Sequence, residues 1–156
     1  MFRFQQEQKV FTIGGCTVGG QAGENPPLLI ASMFHNKDRI VTDRKGNFDR
    51  GRAAELIRQQ ETLSTSTGIP SLVAMVANSA EEAKIYIDFY RETTNMPFGI
   101  DMWVAEKRAE ATEYVAKLGL QDKFLYNSIT PWDKDVKGQV QKLKDLGIKH
   151  VVVQAF

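Results

Sequence analysis

The sequence has little cysteine and no long apolar run, and these two features exclude several classes of protein. Cys16 is the only cysteine among 156 residues, so the chain can form neither an internal disulfide nor a cysteine metal cluster, as suits a reducing compartment. No apolar stretch approaches the roughly 20 residues that cross a bilayer, and the first ten residues, MFRFQQEQKV, lack the apolar core of a secretory signal. We therefore expect a cytoplasmic chain that does not insert directly into a membrane.

The sequence also lacks an excess of charge of either sign. It has 20 Lys and Arg residues, 19 Asp and Glu residues and a net charge of +1, so no nucleic-acid surface or anionic membrane surface is predicted. Apolar residues make up 42% of the chain and charged residues 25%, which is ordinary for a globular protein, and the length suits one domain. Composition therefore predicts the class of protein but not its ligand.

Five short apolar segments, each bounded by turn residues, predict five buried strands. They are residues 28–34 (LLIASMF), 71–77 (SLVAMVA), 97–101 (PFGID), 123–128 (KFLYNS) and 150–156 (HVVVQAF). Between them the apolar residues recur at helical spacing, as in the stripe of Ala83, Tyr86, Ile87 and Tyr90, and predict four helices. Short apolar strands that alternate with helices predict a parallel sheet covered by helices, with ligands at the carboxyl ends of the strands.

Local motifs predict a hairpin and two helix starts. The alternating segments on either side of Gly14 and Gly15 predict a small β-hairpin near the N-terminus. Ser79 with Glu82 matches a capping box. A second capping box is predicted from Thr130 with Asp133, with Pro131 at the first helical position.

Two architectures fit the predicted alternation of strands and helices. One is a complete five-stranded, doubly wound domain of the flavodoxin-like type, and the other is the first part of an eight-stranded (β/α)8 TIM barrel, which needs roughly 250 residues. The last apolar strand is not followed by a helix, and this favours a barrel truncated to about five strands and four helices. We expect residues 1–156 to form the N-terminal part of one barrel domain, with 1–27 as hairpin and lead-in and 28–156 as βα units.

Polar residues at the predicted carboxyl ends of the strands are the candidate site residues. They are Ser32, His35, Asn78, Ser79, Asp101, Asn127, Ser128 and Gln154. A solvated loop position is the better interpretation of His35, a helix cap that of Ser79 and a turn residue that of Asn78. Trp103 and Trp132 also follow strand ends, where they either line a cofactor pocket or cover the rim.

Asp101 and Asn127 occupy equivalent places at the ends of consecutive strands. Neighbouring parallel strands would bring the two side chains together, and an unpaired carboxylate at the end of a buried strand is unfavourable unless a donor reaches it. A carboxylate beside an amide suits a flat heterocycle that presents NH, NH2 and carbonyl groups. The spacing alone agrees equally well with Asp101 as a helix cap and Asn127 as a loop partner.

Several segments together resemble a known family. FRFQQEQKVFTIGG, GGQAGENP, LLIASMF, MPFGID, LYNSI and VVVQAF, in this order, resemble the H subunit of tetrahydromethanopterin S-methyltransferase and its homologues, which belong to the pterin-binding barrels. The resemblance implies a (β/α)8 barrel that moves a methyl group from N5 of a tetrahydropterin, of the tetrahydromethanopterin or tetrahydrofolate type, to the cobalt of a corrinoid carried by a partner protein. It further implies a homodimer or a larger methyltransferase complex, with the chain peripheral to a membrane-bound complex.

The resemblance also implies roles for particular residues. Asp101 and Asn127 match the strand-end Asp and Asn that hold the pterin ring, and Asn78 and Ser128 complete the predicted cofactor-binding set. No catalytic residue is assigned for the proton at N5, and no metal ligand is predicted. The sequence departs from the family at Ala74, where relatives carry an acidic residue, and at Met102-Trp103, where they carry Ser-Pro.

The length of the chain keeps a second class of function open. Chains of this family are about twice as long, so the resemblance covers an N-terminal half. A non-catalytic half-barrel that binds or assembles with a partner is therefore an alternative to a methyltransferase subunit, and the flavodoxin-like domain is another.

Overall fold

The five predicted strands and four predicted helices are all present in a computed structural model that describes residues 2–43 and 45–155. In chain order the elements are β1 (Val10–Ile13), β2 (Cys16–Gly19), β3 (Leu29–Met33), α1 (Arg50–Thr67), β4 (Ser71–Val76), α2 (Ala80–Thr93), β5 (Phe98–Asp101), α3 (Ala105–Lys117), a short 3-10 helix (Gln121–Lys123), β6 (Phe124–Ile129), α4 (Val136–Asp145) and β7 (His150–Val153). The last strand is shorter than predicted, and Phe156 lies outside the described residues.

The main sheet contains β3 to β7, all parallel, and each strand lies beside the next one in the chain. A flavodoxin-like sheet reverses its strand order at a switch point, and no reversal is present in this sheet. The flavodoxin-like alternative is therefore wrong. The strands lie in chain order because each right-handed βαβ crossover adds the next strand on the same side of the one before it.

All four helices pack on one face of this sheet. Alternate strand residues, among them Met75, Ile100 and Tyr126, point to this face and form the main buried cluster with helix residues such as Ile57 and Val115. Every helix contributes to this cluster, with Ala53 from α1, Ala83 from α2 and Leu143 from α4 among its members. The predicted stripe of α2 is therefore confirmed as a buried face. The stripes of the other helices are buried only in part, since Leu63, Val136 and Val140 are 56%, 38% and 38% exposed. No helix in the described ranges is both long and apolar enough to span a bilayer.

The predicted hairpin is confirmed and covers part of the opposite face of the sheet. β1 and β2 pair antiparallel, and the turn between them needs Gly14 and Gly15 because both have positive φ angles, of 53° and 88°. Ile13 and Val18 of the hairpin form a second buried cluster with Leu72 and Leu125 of the sheet.

Contacts at the hairpin turn locate the hairpin at the amino ends of the strands. The Gly14 backbone N–H donates to the carbonyl of Asp122, just before β6, over 2.8 Å. A Cβ atom on Gly14 would lie 2.9 Å from Cβ of Pro97, just before β5. The hairpin thus leaves the carboxyl ends of the strands open on this face.

One predicted helix start is confirmed and the other is wrong. Ser79 caps α2 by accepting a hydrogen bond from the Glu82 N–H over 3.1 Å. Thr130 and Asp133 instead form a turn in which the Thr130 N–H donates to Asp133 Oδ2 over 2.8 Å, and α4 begins only at Val136. Asp135 supplies the cap of α4, because its carboxylate accepts from the Gly138 N–H.

The small cluster between hairpin and sheet generates a stability prediction. Ile13 is 1% exposed, so we expect Ile13→Ala to lower the free energy of unfolding by about 2–5 kcal/mol, the usual range for truncation of a buried aliphatic side chain. Val10 of the same strand is 47% exposed, so Val10→Ala should change the free energy of unfolding by less than about 0.5 kcal/mol. Urea unfolding of both variants measures the difference, and equal effects would contradict the packing of the hairpin on the sheet.

Candidate functional site

Asp101 and Asn127 lie side by side at the carboxyl ends of neighbouring strands. Asp101 pairs in register with Asn127 on one side and with Val76 on the other. Their neighbours Ile100 and Tyr126 point toward the helices, so Asp101 and Asn127 point to the opposite face, which the hairpin leaves open at this end. Both residues are half-buried. The adjacency predicted from the sequence is therefore confirmed.

A cavity of about 380 Å³ opens at the same end of the sheet, and we call it the mouth cavity. Strand-end residues Asp101, Ser128 and Gln154 line it, together with Trp103 and Trp132 from the loops after β5 and β6. Its volume lies within the range of about 300–1,000 Å³ that is usual for small-molecule sites. The carboxyl ends of parallel strands thus converge on a pocket with a carboxylate, an amide, a hydroxyl and two indoles.

The Asp101 carboxylate is the electrostatically unusual group of the mouth cavity. Burial raises its pKa above the ordinary value of an aspartate, and the positive charge of Arg108 lowers it only in part. Because the folded-state pKa is raised, the stability that Asp101 contributes is full at acid pH and is lost as the pH rises through that pKa. Within residues 2–43 and 45–155, no hydrogen-bond donor reaches this carboxylate. It is therefore an acceptor without a partner in the described part of the chain.

Other candidate residues lie away from the mouth cavity or have structural partners. His35 is exposed in the loop after β3, as expected, and its Nδ1 accepts from the Lys37 N–H over 3.4 Å. Asn78 is exposed after β4, and its amide nitrogen donates to Glu82 Oε2 over 3.1 Å. Ser32 is an exposed residue of β3. The cavity thus brings together Asp101, Ser128 and Gln154, but not these three.

The two departures from the family pattern both bear on this site. Ala74 is 2% exposed and pairs with Gly99, so both lie on the face of Asp101, one step toward the amino ends. A small residue at this point supplies no second carboxylate. Met102 is 2% exposed, whereas Trp103 is 89% exposed at the edge of the mouth cavity.

Arg108 of α3 is a buried cation that the sequence reasoning did not identify. It is 2% exposed, and its Nε donates to the Tyr126 hydroxyl over 2.8 Å while Nη1 donates to the Met102 carbonyl over 2.7 Å. Nη2 donates to both carboxylate oxygens of Asp133 over 3.3 and 3.2 Å, and to Gln139 Oε1 over 3.4 Å. One side chain therefore ties the start of the β5–α3 loop to β6, the β6–α4 loop and α4.

A sequence signal for this residue does exist. Val104, Arg108, Ala111 and Val115 recur at helical spacing, which places an arginine within an apolar stripe. A buried arginine needs partners, and these lie 18 and 25 residues further along, at Tyr126 and Asp133. Local patterns do not identify partners at that distance.

The buried ion pair of Arg108 and Asp133 generates a prediction with an internal control. We expect Arg108→Met to lower the free energy of unfolding by about 3–5 kcal/mol, because it leaves a carboxylate that is only 9% exposed without its cation. Arg91 pairs with Asp88 at the surface, where both side chains are more than a third exposed. Arg91→Met should therefore change the free energy of unfolding by less than about 1 kcal/mol. Urea unfolding measures both, and a small effect of Arg108→Met would contradict the structural role of Arg108.

Comparison with known proteins gives a match along nearly the whole chain. The family model described as "Tetrahydromethanopterin S-methyltransferase MtrH subunit" matches residues 6–156. The H subunit of tetrahydromethanopterin S-methyltransferase from Methanosarcina mazei is 36% identical over 158 residues, and the H subunit from Methanothermobacter marburgensis is 35% identical over 157 residues. Each alignment covers all of this chain and 49% or 50% of the relative.

A second group of relatives has a different name. The H subunit of the "Putative methyltransferase mtx" from Methanosarcina mazei is 45% identical over 130 residues, which cover 83% of this chain and 42% of the relative. The chain thus spans about half the length of the curated relatives that it matches. The resemblance found in the sequence is confirmed.

Proposed function

Because the chain belongs to the MtrH family of tetrahydromethanopterin S-methyltransferase subunits, we propose that it supplies the pterin-binding part of a methyltransferase subunit. The donor would be N5-methyl-tetrahydromethanopterin or a related tetrahydropterin, and the acceptor the cobalt of a corrinoid on a partner protein. The observation that carries the proposal is the half-buried Asp101 carboxylate, which lines the mouth cavity and has no donor in the described chain. Its register partner Asn127 is next to the cavity but not part of its lining.

The chemistry of these side chains fits the edge of a pterin ring. A carboxylate accepts two parallel N–H donors, as presented by the ring NH and the exocyclic amino group. The Asn127 amide both donates and accepts, so it suits the remaining polar atoms of the ring. Ser128, a residue that is 7% exposed, adds a hydroxyl from the cavity lining. Asn78 is exposed after β4 and does not line the cavity, so the proposal gives its amide oxygen only to a part of the ligand that reaches beyond the cavity.

The role of these residues in the transfer is to hold and orient the ring. An N5-methyl amine is a poor electrophile, so a proton or hydrogen bond must develop at N5 as the corrinoid cobalt attacks the methyl carbon. Ring contacts on one polar edge fix the direction in which the methyl group points, which is the positioning that an in-line transfer needs. None of the described residues is assigned the proton at N5.

We also propose that the main sheet is the first part of a pterin-binding (β/α)8 barrel domain. Sequential parallel strands, helices on one face and a hairpin at the amino ends of the other face all agree with barrel geometry. The curated relatives are about twice as long, which is enough chain for the remaining strands. In such an enzyme a corrinoid-binding subunit would face the mouth cavity. Both chains would belong to a larger complex peripheral to a membrane.

Pterin binding tests the proposal. We expect the chain to bind methyl-tetrahydromethanopterin in isothermal calorimetry, and Asp101→Ala and Asn127→Ala each to weaken binding by about 1–3 kcal/mol through loss of a buried hydrogen bond. Affinity should fall as the pH drops through the raised pKa of Asp101, because the protonated carboxyl loses its capacity to accept both donors. Asp101→Asn should remove this pH dependence.

The matched control is Asp122→Asn, at the amino end of β6. The Asp122 side chain is 85% exposed and pairs with Lys149 at the surface, so this change alters the net charge equally without touching the mouth cavity. Its affinity should equal that of the parent chain. Unchanged affinity in both Asp101→Ala and Asn127→Ala would refute the assigned ligands.

An assembly module remains the second candidate function, favoured by apolar residues at the sheet edges. Leu29 and Ile30 of β3 are 54% and 49% exposed, and Val153 of β7 is 67% exposed. A groove of about 490 Å³ runs between β3 and α1, lined by these β3 residues with Leu56 and Leu63. Edges of this kind favour association with another chain.

Molecular mass in solution distinguishes the two candidates. If the chain is an assembly module, light scattering should give a stable homodimer, and Ile30→Asp should convert it to a monomer because a buried charge opposes the contact. Calorimetry on the same sample should then detect no pterin binding. A monomer that binds the pterin would rule out the assembly function. Lys144→Gln at an exposed position lowers the net charge by the same amount as Ile30→Asp and serves as the charge control.

A further inference from the structure

The sequence contains two tryptophans, and both lie at the mouth cavity. Trp103 follows β5 and is 89% exposed, and Trp132 follows β6 and is 67% exposed. Large aromatic side chains usually lose most of their exposed area on folding, since burial of an indole is strongly favourable. Two such side chains on consecutive loops, both exposed beside the same cavity, point to a role in binding.

A second cavity begins where the mouth cavity ends. It has a volume of about 900 Å³ and lies between the first turns of α3 and α4. The two cavities share three lining residues, Trp103, Trp132 and Asp133. A ligand that extends from the mouth cavity into the outer cavity therefore runs along both indoles.

We propose that Trp103 and Trp132 form an aromatic subsite that holds an aryl group attached to the pterin ring, with the outer cavity as the path for the rest of the ligand. This inference rests on the pterin site proposed above and extends it outward from Asp101. An indole binds an aryl ring by offset or edge-to-face stacking, so the bound group must be flat. To reach the indoles, this group must be joined by a short link to the pterin ring at Asp101.

The loops that carry the indoles are held at fixed points, as a stacking site requires. Arg108 binds the Met102 carbonyl directly before Trp103 and the Asp133 carboxylate directly after Trp132. The same guanidinium thus anchors the chain next to each indole. An indole on an anchored loop loses less conformational entropy when a ring stacks against it than one on a free loop would.

Two ligands separate the aromatic subsite from the pterin site. Tetrahydromethanopterin carries an aryl group, whereas dimethyltetrahydropterin ends at the ring. We expect Trp103→Ala to weaken binding of tetrahydromethanopterin by about threefold to tenfold in calorimetry, as for loss of one aromatic pair, and to leave dimethyltetrahydropterin within about twofold. Trp103→Phe should restore most of the affinity. Phe11→Ala, which removes an aromatic ring 48% exposed at the hairpin end, is the matched control.

Intrinsic fluorescence gives an independent readout because the chain has no other tryptophan. With excitation at a wavelength that tyrosine does not absorb, only Trp132 emits in Trp103→Phe and only Trp103 emits in Trp132→Phe. Tetrahydromethanopterin should quench each emitter at saturation, and dimethyltetrahydropterin should quench both less.

The outcomes separate the two proposals. If both ligands bind and Trp103→Ala leaves their affinities unchanged, or lowers them equally, the aromatic subsite is wrong and the pterin site stands. If neither ligand binds to the folded chain, as checked by circular dichroism, the pterin site is wrong and the aromatic subsite falls with it.

Discussion

The geometry of the mouth cavity depends on one buried guanidinium. Arg108 reaches from α3 to a backbone carbonyl after β5, a hydroxyl on β6, a carboxylate after β6 and an amide on α4. A buried cation is tolerated only where such partners replace water. Burial of Arg108 therefore requires its partners to lie where they do. The two loops that carry Trp103 and Trp132 are consequently fixed relative to β5 and β6, although neither loop has regular secondary structure of its own.

The two faces of the sheet are covered to different extents. The helix side contains the main apolar cluster, and the hairpin covers only the amino end of the other side. Between the hairpin and the strand ends lie Ala74 and Gly99, where a Cβ on Gly99 would approach the Leu125 carbonyl oxygen to 3.1 Å. Both small residues are buried, so the strands pack closely at this level, whereas Asp101 and Asn127 at the polar ends of β5 and β6 are half-buried.

Much of this arrangement follows from short-range patterns in the sequence. Apolar segments of strand length, alternating with helical stripes, predicted each strand of the parallel sheet, and equivalent positions in successive units predicted that Asp101 and Asn127 are neighbours. The start of α4 was predicted wrongly because Asp133 is held by Arg108 and by the Thr130 N–H, which favours a turn over a helix cap. Contacts between residues far apart in the chain leave no local pattern, and those of Arg108 with Tyr126, Asp133 and Gln139 hold the loops at the mouth cavity.

Arg108 and Asp101 together explain why the cavity keeps an unpartnered carboxylate. The guanidinium is close enough to lower the Asp101 pKa, yet its hydrogen bonds go to Tyr126, Met102, Asp133 and Gln139. Asp101 therefore experiences the field of a cation without receiving its donors, and burial still keeps the pKa above the ordinary value. A ligand that brings two N–H groups to this carboxylate would supply the missing hydrogen-bond donors. Its binding would lower the Asp101 pKa.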